Sequence, residues 1–486
     1  MAVDQPYAGT GAPAPSPGHK SSDSGLSGLG LIMQLVGGIM TAVVACYGMI
    51  MLIAVLQAGG GRGMPGSIMI WILAVLGTSL ARSVTHAAAG RRLLYDGPGT
   101  PARALQRYIT VSAVQVGVVC VGMLINDAPG GLMLALLLIL SAWPIALFVV
   151  ARPKIAEYGD AVPMADDKGF DGASILLVIF GSIGVAIGAI MLLGWLDWPG
   201  ELKSKLMGIG MLVAFVMLTI RSVLHLRAGL RGVKAIHMAE TADAADKYAS
   251  FGIIASVVAG GVFLVGFVTA MPGRGGGAVM ILMLIMVVMI TWVLLVWPLT
   301  VKRFFGDRQF ATMLDERAPA TQDASDQGLP TLGWLLLAFG VYALATGFAG
   351  VLMGDMGDDR AMRRMSRGDN PLGQMMGLIG NVGGKSPWFG ITTAALQVWA
   401  GVELIRLTPR YKIAGMVFGG VAAAVALYVY LPMLDALMGG GLAMLSNPLA
   451  AMGFASVAMA LVVPVATIVF VQRKVRDPKA LAQTFE

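Results

Sequence analysis

Charge is what this sequence has least of. Only 13% of its 486 residues are Asp, Glu, Lys or Arg, where a soluble globular chain carries roughly 25%. With 57% hydrophobic residues and a mean hydropathy of +0.78, no water-soluble fold could hide the apolar surface. Cysteine is nearly missing as well. Cys46 and Cys120 both fall inside apolar runs, which excludes a disulfide framework and a thiolate metal cluster. The chain has no H-E-x-x-H, no G-x-S-x-G and no Walker sequence, so the zinc-hydrolase, serine-hydrolase and ATPase templates have no support. Gly61-Arg62-Gly63-Met64-Pro65-Gly66 matches G-x-G-x-x-G in letters, but it joins two apolar runs and follows no strand, so a dinucleotide role is excluded.

Long apolar runs are what the chain does have. A helix needs about twenty apolar residues to cross roughly 30 Å of hydrocarbon, and helices satisfy their own backbone groups there. Twelve such spans are expected, at 30–57, 67–90, 107–126, 131–151, 173–196, 204–226, 248–271, 278–301, 331–353, 388–405, 411–437 and 448–472. The fold class is therefore an all-α integral membrane protein. Residues 1–28, with Pro13, Pro15, Pro17 and several serines, read as a flexible tail, and residues 476–486 as a second one.

The basic residues give an orientation. Arg91, Arg92, Arg103, Arg107, Arg152, Lys154, Arg231, Lys234, Lys247, Lys302, Arg303, Arg308, Arg406, Arg410, Lys412, Arg473, Lys474 and Arg476 all follow even-numbered spans. By the positive-inside rule these loops and both termini are cytoplasmic, in a cytoplasmic-type (inner) membrane. Topology thus accounts for the net charge of +7, and a nucleic-acid partner is unnecessary.

The chain also repeats itself. Arg82-Ser83-Val84-Thr85-His86 in the second span returns as Arg221-Ser222-Val223-Leu224-His225 in the sixth, each followed by Ala-Gly at the same distance. The tenth span keeps only Ala400-Gly401. A base and a tyrosine open the third helix of each set: Arg107-Tyr108, Lys247-Tyr248, Arg410-Tyr411. An apolar residue and a proline recur in each fourth helix: Trp143-Pro144, Trp297-Pro298, Val463-Pro464. These landmarks divide the chain into three sequential four-helix units, 29–160, 161–318 and 319–475. Three units fit a pseudo-threefold ring or a row of bundles, and neither matches the two-half plan of familiar secondary transporters.

Two constellations are candidates for chemistry. Arg82 with His86, and Arg221 with His225, share helix faces at i and i+4. In the plainest reading the arginines snorkel to the headgroups and the histidines cap a neighbouring helix. Two sharper readings have the pairs binding anionic lipid phosphate, or His86 and His225 serving as axial haem ligands facing each other across a bundle. The second constellation lies in the external loop 354–387, where Met353, Met356, Met362 and Met365 offer thioethers of the kind that select Cu(I). The same loop carries Arg363 and Arg364, which with the base–tyrosine pairs are candidates for headgroup or partner contacts. Met280, Met283, Met286 and Met289 make a further stripe in the eighth span, where adaptable packing is the ordinary use. No catalytic residue is proposed. The expected role is a non-catalytic subunit or scaffold in a complex with other membrane proteins, in contact with anionic lipid headgroups. A transporter or channel for a small solute or metal ion stands second, and a haem-binding or lipid-modifying protein third.

Overall fold

The computed structural model describes residues 24–58, 66–95, 100–126, 128–157, 168–196, 206–234, 238–270, 277–309, 311–312, 328–354, 387–440 and 448–473. Twelve long helices make up almost all of these: α1 (Ser24–Ala58), α2 (Gly66–Tyr95), α3 (Thr100–Ile125), α4 (Gly130–Ala146), α5 (Lys168–Leu196), α6 (Leu206–Lys234), α7 (Met238–Ala270), α8 (Gly277–Phe305), α9 (Leu329–Gly354), α10 (Pro387–Arg406), α11 (Tyr411–Gly440) and α12 (Pro448–Arg473). Each is long and apolar enough to cross a membrane, so the chain is a multi-pass membrane protein. Pro387, Pro448 and Pro330 sit in first turns, where the missing N–H is no loss. Pro144 lies inside α4. The helix continues from there through a π-helical turn, Leu147–Ala151, into a last stretch, Arg152–Glu157.

The helices start earlier than the apolar runs alone indicate. α1 begins within the segment read as a tail: Leu26 and Ser27 are helical and buried, and Gly28 lies against Thr331 of α9. Residues 1–23 lie outside the described set. α3 and α7 likewise begin about two turns before the base–tyrosine pairs.

Packing runs α1–α2–α3–α4, α5–α6–α7–α8 and α9–α10–α11–α12, each helix against the next. The fourth helix of each series then reaches the first helix of a different one: α4 packs on α9, α8 on α1 and α12 on α5. The three first helices, α1, α5 and α9, also touch one another. Moving every label four places along carries these contacts onto themselves, so the helices close into a ring around α1, α5 and α9. The N-terminal halves of these three are buried on all sides, through Leu29, Leu31, Ile32 and Met33 in α1, Ile175, Leu176, Leu177 and Ile179 in α5, and Trp334, Leu335, Leu336 and Leu337 in α9. Farther along, Met40, Val43, Tyr47 and Met49 of α1 and Phe339 and Phe348 of α9 are exposed. The ring is thus filled at one end and looser at the other.

Candidate functional site

The two Arg–His helices meet lipid on one side only. Ile70, Leu73, Leu80 and Val84 of α2, and Ile209, Val213, Val216, Ile220 and Val223 of α6, form exposed apolar stripes at helical spacing. Arg82, His86, Arg221 and His225 fall on the opposite faces, and both histidines are buried. The arginines sit at the middle of their spans, Ile68–Leu94 and Gly208–Lys234, with about 18 to 20 Å of helix on either side at 1.5 Å per residue. They do not rise to the rim. They turn inward, which a charge at that depth does only when something polar receives it.

What receives them begins with proline. Pro144 and Pro298 have no N–H, so the carbonyls four residues earlier, at Leu140 and Leu294, lose their helical donor. Arg82 supplies one directly: Nη2 donates to the Leu140 carbonyl at 2.8 Å, while Nη1 donates to Gln115 Oε1 at 2.9 Å. Gln115 in turn donates to Ser79 Oγ at 2.6 Å. In the other series Arg221 Nη1 donates to Ser256 Oγ at 3.0 Å, and that hydroxyl lies 3.1 Å from the Leu294 carbonyl and 2.6 Å from that of Gly252. Serine here stands between the arginine and the orphaned carbonyl.

The histidines close a second layer one turn away. Trp143 Nε1 donates to His86 Nε2 at 3.0 Å, and Trp297 Nε1 to His225 Nε2 at 2.8 Å. Each Nε2 is therefore unprotonated, and the neutral ring carries its proton on Nδ1. Tyr108 stacks on His86 with centroids 4.7 Å apart, and Tyr248 on His225 at 4.3 Å. Phe180 of α5 meets the edge of Trp297 at 5.4 Å. Residues noted separately along the chain, an arginine and a histidine on one helix, a tyrosine on the next and a tryptophan–proline pair on the fourth, thus come together in one cluster, twice.

In α9–α12 the positions that follow from Ala400-Gly401 are Thr393 and Gln397, and Val463 stands in place of the tryptophan. Arginine, histidine and tryptophan are absent together, while Tyr411 and Pro464 remain. A different cluster forms there: Trp399 Nε1 donates to Glu403 Oε1 at 3.1 Å, and Thr408 donates to Glu403 Oε2.

Glycines lock the first two helices of each series, which the sequence reading did not single out. A Cβ on Gly37 would meet the Ala87 nitrogen at 2.4 Å, on Gly181 the Leu226 nitrogen at 2.5 Å, and on Gly340 the Val398 nitrogen at 3.0 Å. From the other helix, Gly90, Gly229 and Gly401 approach Gln34, Val178 and Leu337 as closely. The residues touched at Ala87, Leu226 and Val398 directly follow His86, His225 and Gln397, so this contact fixes the height of the polar cluster. The signal was present in the glycines at 37, 181 and 340, but only alignment of all three units brings it out.

The other candidates lie elsewhere. Arg107, Lys247 and Arg410 are exposed, whereas Tyr108, Tyr248 and Tyr411 beside them are buried. Arg363, Arg364, Met356, Met362 and Met365 lie outside the described residues, and Met353 is placed only as a residue near the end of α9. Cys46 Sγ of α1 stands 3.9 Å from Met286 Sδ of α8, across the seam where those helices meet. Haem ligation would need the two imidazoles to face each other. α2 and α6 share no substantial packing, and the Nε2 of each ring is already engaged by an indole.

Set against known proteins, the chain matches no family model, no curated protein and no solved structure.

Proposed function

We propose that this multi-pass protein is a non-catalytic subunit of a membrane complex, built from three related four-helix units closed into a ring, with both termini in the cytoplasm of an inner-type membrane. The observation that carries the reading is how the chemistry-bearing side chains are used. Arg82 and both histidines are held by the protein's own carbonyl, amide and indole groups, an arrangement that fixes helices relative to one another and leaves no free nucleophile or general base among them. The ring-closing contacts, the three glycine locks and the three prolines at equivalent places support the triplication. The exposed apolar stripes on α2 and α6 supply surface for lipid or for neighbouring subunits, and the exposed bases at Arg107, Lys247 and Arg410 supply contacts to anionic headgroups.

Gentle extraction from the native membrane, followed by mass spectrometry of everything that co-purifies in stoichiometric amount, tests this. Partner chains at fixed ratio are expected; a solitary protein that moves a solute when reconstituted into vesicles would replace the reading. That second reading, transport of a small solute, is favoured by one observation: charged groups at mid-membrane depth commonly mark a path, and Arg82 and Arg221 are both at that depth.

A further inference from the structure

The two arginine clusters are built alike but are not equally satisfied, and the difference has a chemical meaning. Arg82 gives N–H groups to an amide oxygen and to a backbone carbonyl. Arg221 gives only one, to Ser256. A guanidinium has five N–H donors, so four of those on Arg221 have no acceptor among the described residues, and no carboxylate there pairs with it. Directly beside it the hydroxyl of Tyr248, whose side chain is fully buried, is without a hydrogen-bond partner. Buried polar groups are nearly always satisfied. Here two neighbouring donors, one of them cationic, point into the same space and are not.

We propose that Arg221 and Tyr248 hold a small monovalent anion of halide type at the middle of the membrane, between α6, α7 and α8. The placement follows from the helices. Tyr248, Gly252 and Ser256 succeed one another at i, i+4 and i+8 on α7 and so line one face. Ser256 occupies the outer side of Arg221: it accepts from the guanidinium, and its single proton goes to the Leu294 or Gly252 carbonyl, so it has nothing to offer an anion. Tyr248 occupies the opposite side, its ring fixed by stacking on His225, and its hydroxyl is free to donate. Gly252 lies between them. A Cβ there would stand 3.1 Å from Pro298 Cγ and 3.6 Å from Arg221 Nε, so glycine keeps open the space beside the charge.

Charge and hydration choose the class of ligand. One cation in apolar surroundings calls for one negative charge, because an unpaired ion there is costly, and a multiply charged phosphate would exchange one imbalance for another. The site lies about 18 to 20 Å of helix from either end of the span, beyond the reach of lipid headgroups. Walls made of glycine and proline favour an ion that gives up water easily, and chloride or bromide does so more readily than a strongly hydrated oxyanion. Arg82 provides the contrast, since protein oxygens already fill the corresponding positions around it.

The test uses the purified full-length chain in lipid nanodiscs, with thermal unfolding followed as sodium gluconate is replaced by sodium chloride or bromide at constant ionic strength. The wild type is expected to show a saturable rise in midpoint with either halide. Tyr248→Phe, which removes only the hydroxyl, should raise the half-saturating concentration about tenfold, Arg221→Gln should abolish the response, and Tyr108→Phe at the counterpart position should leave it as in the wild type. A wild type with the same midpoint in chloride and gluconate overturns the proposal. So does a response that survives unchanged in Tyr248→Phe, which decides the matter alone should Arg221→Gln not fold. The outcome does not depend on whether partner subunits co-purify, so this inference and the subunit reading stand or fall separately.

Discussion

At the scale of single residues, the sequence marks the polar positions and leaves their partners open. Arg82 and His86 are legible as a pair because their spacing is helical, and Trp143-Pro144 is legible because the motif returns. That the tryptophan donates to the histidine is not legible, since 57 residues separate them and nothing in either motif names the other. The depth of the arginines was also misjudged by local reasoning. A base in the second half of a span is expected to snorkel, and only the orphaned carbonyl below Pro144 gives Arg82 a reason to stay. The buried indole–imidazole bond carries a measurable consequence. Trp143→Phe strands the Nε2 acceptor of His86 and should cost about 1 to 3 kcal/mol, whereas His86→Leu combined with Trp143→Phe removes both partners and should cost less than the sum of the single changes. Unfolding in mixed detergent micelles measures all three, and strict additivity would mean the bond contributes nothing.

At the scale of helices, the twelve apolar runs located every long element, because length and hydropathy decide membrane helices almost alone. Their ends were less legible. α1, α3 and α7 extend past the apolar stretch into residues whose burial comes from neighbours in other parts of the chain, as with Ser27 and Gly28 against α9. The pairing of first and second helices depends on glycine at a handful of positions. Gly37→Ala and Gly181→Ala each drive a methyl to within 2.5 Å of backbone nitrogen, and backbone cannot step aside as a side chain can. Each should lose about 1 to 3 kcal/mol or more. Gly117, with nothing within 4 Å of a new Cβ, should accept alanine with no loss or a gain of up to about 1 kcal/mol. Thermal unfolding of the three variants side by side separates a specific lock from a general intolerance of larger side chains.

At the scale of the whole molecule, the repeats left two arrangements open, and the contact of α4 with α9 distinguishes them. A row of bundles would keep the first and third series apart, whereas the ring puts them side by side. With Cys46 and Cys120 replaced by serine, cysteine pairs introduced along α4 and α9 should therefore cross-link in native membranes, and failure at every register would argue for the row. Ring closure also reaches back into how the protein is made. α1 is among the first helices to leave the ribosome, yet its neighbours α8 and α9 begin at Gly277 and Leu329. At roughly 5 to 20 residues per second, the 305 residues between Ser24 and Leu329 take about 15 to 60 s to synthesise. Throughout that interval the first helix waits in the bilayer with its future central face, including Ser27 and Gln34, turned toward lipid or a temporary host. A chain cut short before the ninth helix would leave that face permanently uncovered, so the cell's membrane quality control would meet this protein first through its oldest segment.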